Sequence, residues 1–326
     1  MNLVTKWKTR REVERSLRAA RKAVGSEDHA RSISLGIDVS FRSILWEEPN
    51  RAGTPPLHIG DSGERYSTLT GVWWIDDDRF VVNHRSGLRL ALFDLTSRQE
   101  RIAISDIPHL TDDIAVKPLE NGRFEIAVSG CWACVYSLFH MEFSSHGLPS
   151  FEFVETLDHR SEDFCHGVAY DQDGQLCTTL HTGRDPRIHI GKLEYRLPRP
   201  WGVRDICFDS NRSRYLAVAV NEDPRRGVAY SGVMTSVWEL EPGKPEWSIL
   251  TAIDHVHSDA LDTHDGEIWL PDQLGDRVIA LDGRNGRMTR IVTGEGLDFP
   301  HGLSISSAGR IAVSNYGSSS ITVFTP

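Results

Sequence analysis

A short pattern recurs six times along this chain and constrains the fold more than any other feature. Each copy is a residue x, then a small or acidic residue, then an aliphatic one, leading into two alternating apolar runs. The copies are Thr70-Gly71-Val72, Asp112-Asp113-Ile114, His166-Gly167-Val168, Arg204-Asp205-Ile206, Asp259-Ala260-Leu261 and His301-Gly302-Leu303. They start 42, 54, 38, 55 and 42 residues apart. Alternation with period two is the mark of strands with one buried face. In the last copy, Leu303 and Ile305, Ile311 and Val313, then Ile321 and Val323 mark three such strands. Small antiparallel sheets repeating every roughly 40–50 residues are the sequence form of a β-propeller. Six copies predict an all-β, six-bladed β-propeller.

The sixth copy supplies only three strands before Pro326. An open outer edge invites aggregation, so another segment is expected to cover it. Residues 32–46, SISLGIDVSFRSILW, alternate like strands and are the expected closing strand. The propeller then runs over 32–326, preceded at 1–31 by a short N-terminal helical extension and linker. Within it, Val13, Leu17, Ala20 and Val24 share one stripe of a helix that Gly25 would end. This helix is basic: residues 1–24 hold eight Lys/Arg against Glu12 and Glu14, a net +6. The whole chain is −10, so the remainder is −16. Docking on the acidic body is the expected role of the helix, with a membrane-surface or partner-binding arm as the alternative.

An acidic body argues against nucleic acid as a partner, since phosphate binding needs a cationic groove. No apolar run reaches the roughly 18 residues of a membrane span, and the N-terminus lacks a secretory apolar core. Five cysteines, an odd number, suit reduced thiols and a cytoplasmic setting. Cys131-Trp-Ala-Cys134 falls in a hairpin pattern and reads as core packing. Phosphate-loop, Rossmann and nucleophile-elbow motifs are absent, so no nucleotide cofactor is expected.

The repeats resemble the six-bladed propellers of the gluconolactonase/regucalcin-like and NHL-repeat group. The resemblance rests on CHGV, SDAL and PHGL at inner-strand starts and on WLPD and AVSN at second-strand ends, within 57–324. It implies that both kinds of position open on one face of the disc around a central channel. The inner ring is then Thr70, Asp112, His166, Arg204, Asp259 and His301. An outer tier would hold Asn83, Ser129, His181, Asn221, Asp272 and Asn315. With equal spacing, His166 faces His301 across the axis, and Asp112 faces Asp259.

In the calcium-dependent lactonases of that group, an acidic residue, an Asn and an Asp hold the metal. Asp259 matches the Asp; His or Arg stands at the Asn position, and Thr70 where a glutamate is expected. The donors present suit Zn²⁺, Mn²⁺ or Fe²⁺ better than the Ca²⁺ of those relatives. Expected metal ligands are His166, His301, Asp259 and Asp272. Asp112 and His181 are expected to move protons beside the two histidines, and Arg204, Asn221 and Asn315 to bind substrate. The chemistry implied is lactone or ester hydrolysis, or lyase/isomerase proton transfer, on a small-molecule substrate. A non-catalytic NHL-like binding platform is the alternative. His255 and His257 would share one face if their loop were extended.

Overall fold

The computed structural model describes residues 3–23, 30–34, 39–42, 58–59, 65–66, 69–85, 88–97, 99–104, 107, 109–130, 135–144, 147–158, 164–180, 185–223, 228–229 and 233–325. Six antiparallel sheets follow one another along the chain. Blade 1 is Leu69–Trp74, Arg79–His84, Arg89–Asp94 and Gln99–Ile104; blade 2 is Thr111–Pro118, Phe124–Gly130, Val135–Phe143 and Pro149–Asp158. Blade 3 is Cys165–Tyr170, Leu176–Leu180, Arg187–Ile190 and Leu193–Arg196. Blade 4 is Trp201–Asp209, Arg214–Asp223, Met234–Leu240 and Ser248–Asp254. Blade 5 is Asp262–His264, Glu267–Asp272, Arg277–Asp282 and Met288–Thr293; blade 6 begins with Pro300–Ile305, Ile311–Asn315 and Ser320–Phe324.

Val39–Arg42 pairs antiparallel with Ser320–Phe324 and gives blade 6 its fourth strand. Arg31–Ser34 lies parallel on Met288–Thr293, a fifth strand at the rim of blade 5. The N-terminal segment thus covers two outer edges, because consecutive short strands can each reach one blade.

The apolar pattern is used between blades. Six clusters of buried side chains occupy the six seams. Period-two alternation divides each strand between its two neighbours: Val81 packs into the blade 1–2 seam and Val82 into the blade 6–1 seam.

The glycines of the repeat sit where inner strands touch. A Cβ on Gly71 would stand 2.8 Å from Asp113 Cα, one on Gly167 2.5 Å from Asp205 Cα, and one on Gly302 2.1 Å from the Thr70 carbonyl oxygen. Where blades 2 and 4 carry Asp in place of glycine, the carboxylate stitches the next blade. Asp113 accepts the Val168 N–H at 2.9 Å, and Asp205 accepts the Leu261 N–H at 2.9 Å. Asp262 does the same for Ile305 at 2.7 Å. Burial raises all three carboxyls, Asp113 to about 7 and Asp262 to about 6.

The helix Leu3–Lys22 lies on blade 4. Val13 and Ala20 are buried, Leu17 packs against the blade 3–4 cluster, and Ser16 Oγ accepts the indole N–H of fully buried Trp201 at 2.6 Å. Val24 and Gly25 lie outside the described residues, as does most of 43–68. Deleting residues 1–24 is expected to leave a soluble protein of lower melting temperature, since Trp201 loses its cover and its acceptor. Deleting 1–46 also bares Ser320–Phe324 as an edge and is expected to send the protein to the insoluble fraction. Soluble yield and thermal melting of both truncations check this.

Candidate active site at the channel mouth

The inner-ring residues converge. His166 and His301 lie with their imidazoles nearly parallel, 10° apart, and their centroids at 6.0 Å. His166 Nε2 is 2.9 Å from Asp112 Oδ2, and His301 Nε2 is 3.4 Å from Asp259 Oδ2. Each carboxylate also meets a guanidinium: Arg85 Nη1 is 3.5 Å from Asp112 Oδ1, and Arg204 Nε is 3.3 Å from Asp259 Oδ1. The site is therefore two Arg–Asp–His sets, from blades 1–3 and 4–6, in which the Asp–His pairs hold equivalent inner-strand positions half a turn apart and the arginines do not.

The two sets differ in detail. His301 Nε2 also comes within 4.0 Å of Asp112 Oδ1, and Asp112, His166 and His301 each offer an atom within 4.8 Å of the others. Asp259 is not in that group. Its Oδ1 meets His257 Nε2 at 3.1 Å, and its Oδ2 accepts from Gln273 Nε2 at 2.6 Å. Tyr316 stacks on the His301 imidazole at 5.6 Å.

Burial and charge pull the titrations apart. Burial alone would raise Asp112, but the charges on His166 and Arg85 hold it well below the usual carboxylate range. Asp259 is likewise held low, with His257 and Arg204 outweighing burial. Burial would lower His166, yet the adjacent Asp112 carboxylate raises it. For His301 burial prevails, leaving it near 4.

The donor set fits a divalent first-row metal. Donors bound at about 2.0–2.1 Å around a tetrahedral ion stand roughly 3.4 Å apart, inside the range found here. Both Nε2 atoms lie near Asp112, and Asp112 Oδ1 is buried without a hydrogen-bond partner. Two imidazoles and one carboxylate favour Zn²⁺, Mn²⁺ or Fe²⁺ over an all-oxygen Ca²⁺ site.

The outer tier behaves differently. Asp272 is fully buried, with Oδ2 on Arg277 Nε at 2.7 Å and Oδ1 on the N–H groups of His257 and Leu274. It ties down the turn after its strand, and its neighbour Gln273 reaches Asp259. Asn315 bonds Asp298, Gly296, Ser320 and Thr322, and Asn221 accepts the Met234 N–H at 2.7 Å; both brace turns. His181 and the Cys131–Cys134 pair lie outside the described residues. His255 is exposed with φ at 60°, so the loop is not extended there and only His257 turns to Asp259. Arg85 and Gln273 are the members that repeat reading missed. Arg85 stands beyond the second-strand end, and Gln273 one residue from the position the motif marks.

The NHL repeat profile matches residues 297–324, the last blade's inner strands. The chain is a six-bladed propeller whose last blade matches the NHL repeat. No curated protein matches it in sequence. Among solved structures it is similar to a gluconolactonase from Xanthomonas campestris, with TM-score 0.58 and 11% identity over 80% of this chain and 86% of that one. It is also similar to a chain of a nidogen/laminin complex, with TM-score 0.56 and 14% identity over 76% and 87%. A luciferin-regenerating enzyme gives TM-score 0.55 and 10% identity over 80% and 92%. At such identities the likeness concerns the fold, which serves enzymes and binding proteins alike.

Proposed function

We propose that the channel mouth is the active site of a metal-assisted hydrolase acting on a small lactone or ester. The observation that carries this is the convergence of Asp112, His166 and His301 within 4.8 Å of one another. These three would hold the divalent ion, which when bound supplies Lewis-acid polarisation of a carbonyl and a lowered pKa for water. Asp259, kept ionised by its cationic neighbours, accepts a hydrogen bond from the attacking water at Oδ2. Its other oxygen faces His257 Nε2, and His257, 23% exposed, passes the proton outward. Gln273 fixes the carboxylate plane. Arg204, 12% exposed, orients the polar end of the substrate. Cys177 and Cys207 are buried free thiols, which supports a cytoplasmic setting.

A binding platform is the competing reading. Its observation is the outer strand of blade 2, which leaves Phe153 54% and Val154 39% exposed.

Metal analysis of protein purified without chelator separates them. We expect about one first-row ion per chain. Stripping it should abolish hydrolysis across a panel of small lactones and esters, and Zn²⁺, Mn²⁺ or Fe²⁺ should restore it. Protein that takes up no metal and turns over none of the panel returns the fold to the platform reading. No helix among the described residues is long and apolar enough to cross a membrane.

A further inference from the structure

The metal-binding group spans blades 6, 1, 2 and 3, and blade 1 is the one member of that arc giving it no ligand. Thr70 holds the place of blade 1 in the ring, between His301 and Asp112. Its inner strand touches both neighbours, at Gly302 and at Asp113.

What blade 1 places there is polar and unanswered. Thr70 and Asn83 are fully buried, and neither Thr70 Oγ1 nor either amide atom of Asn83 has a hydrogen-bond partner. Buried polar side chains in folded proteins are nearly always paired, with protein, water or ligand. Strand parity locates the amide. Val81 faces blade 2, so Asn83 does as well, and its cross-strand partner Leu90 packs in the same seam. Ile114 and Val116 face blade 1 from the other side; the inner strand bulges between Thr111 and Ile114, and Asp112 is placed by its contact with Arg85. Asn83 thus enters the seam between blades 1 and 2, two residues before Arg85, which meets Asp112 at 3.5 Å.

We propose that Thr70 and Asn83 form a substrate seat beside the metal-binding group, and that the group it takes is a carboxamide or lactam. This deepens the enzyme reading above and rests on it for the word substrate. The Asn amide offers a donor and an acceptor side by side in one plane. An amide on the ligand answers both at once; a ketone answers only the N–H₂. A carboxylate would leave Asn83 Oδ1 unpaired and stand against the charge of Asp112. A site built this way discriminates strongly against analogues lacking the matching polar atom.

The test uses full-length protein and ligand-observed saturation-transfer NMR with acetamide, acetone and acetate as probes. We expect a signal for acetamide that disappears in Asn83→Leu, with acetone and acetate giving the same response in both proteins. The near-isosteric change also removes an unpaired amide from the interior, so the melting temperature should rise by about 2–5 °C. If Asn83→Leu fails to fold, Thr70→Val carries the same comparison, with a weakened acetamide signal expected. No acetamide signal in the wild type, or the same signal in the variants, overturns the seat. A lower melting temperature with an unchanged acetamide signal overturns it too, by showing the amide held by structural water. Metal content is measured on the same samples. Protein without metal that still binds acetamide through Asn83 would sink the hydrolase and spare the seat.

Discussion

Replacing Asp112 with Ala is expected to lower metal affinity by more than about 100-fold, above the loss typical of partners that only orient a ligand. Asp259→Ala is expected to change that affinity by less than about tenfold while cutting turnover severely. The asymmetry comes from geometry. Asp112 lies 2.9 Å from one imidazole and 4.0 Å from the other, so its loss removes the one carboxylate, among the described residues, within 4.0 Å of both. It also takes one buried carboxylate away from Arg85 and His166, which disfavours a cation further. Asp259 approaches His301 alone, and its remaining contacts, to His257, Gln273 and Arg204, lead away from the metal-binding group. Competition titration with a chromophoric chelator reads the affinities, and hydrolysis of the best lactone or ester reads turnover. Equal loss of affinity in the two variants would show that the half-turn symmetry of the site extends to metal binding, and would remove the distinct role given to Asp259.

That division between the two aspartates was only half legible in the sequence. Repeat spacing and alternation fix which residues begin the inner strands, so the facing histidines could be read from position in the chain. Choosing between Asp112 and Asp259 requires side-chain directions that differ by an ångström or two, and six similar motifs are silent at that scale. The outer-tier residues bond turns for a related reason. A strand end is also a turn start, and Asp and Asn are suited to bonding turn N–H groups. Asp272, Asn221 and Asn315 do this, and a single step in parity gives the channel-facing role to Gln273. Arg85 belongs to no repeated position, because the chain leaves the strand pattern at His84. The closing of blade 6 by Val39–Arg42 follows from alternation in 32–46, whereas the parallel strand Arg31–Ser34 on blade 5 has no signal of its own.

The other large effect concerns the repeat glycine nearest the chain's end. Gly302→Ala is expected to give insoluble protein, or a destabilisation above about 4 kcal/mol, the range reserved for severe overpacking or strain. The new Cβ would stand 2.1 Å from the Thr70 carbonyl oxygen and 3.1 Å from Gly71 Cα. These are backbone atoms of blade 1, and no rotamer can move them. The carbonyl is further fixed by the Ser314 hydroxyl, and two residues along the same strand Trp74 Nε1 donates to the Ser304 carbonyl at 2.9 Å. Relief therefore means separating the inner strands of the first and last blades, the seam at which the ring closes. Gly122→Ala is the control: its φ is +72° but a Cβ there meets nothing within 4 Å, so only backbone strain of about 1 kcal/mol is expected. Soluble yield and urea unfolding of the two variants give the comparison. A Gly302→Ala protein that unfolds within 1 kcal/mol of the control would mean that the seam yields easily. Thr70 and His301 could not then be held as the site requires, since each is the residue just before one of the two glycines in contact.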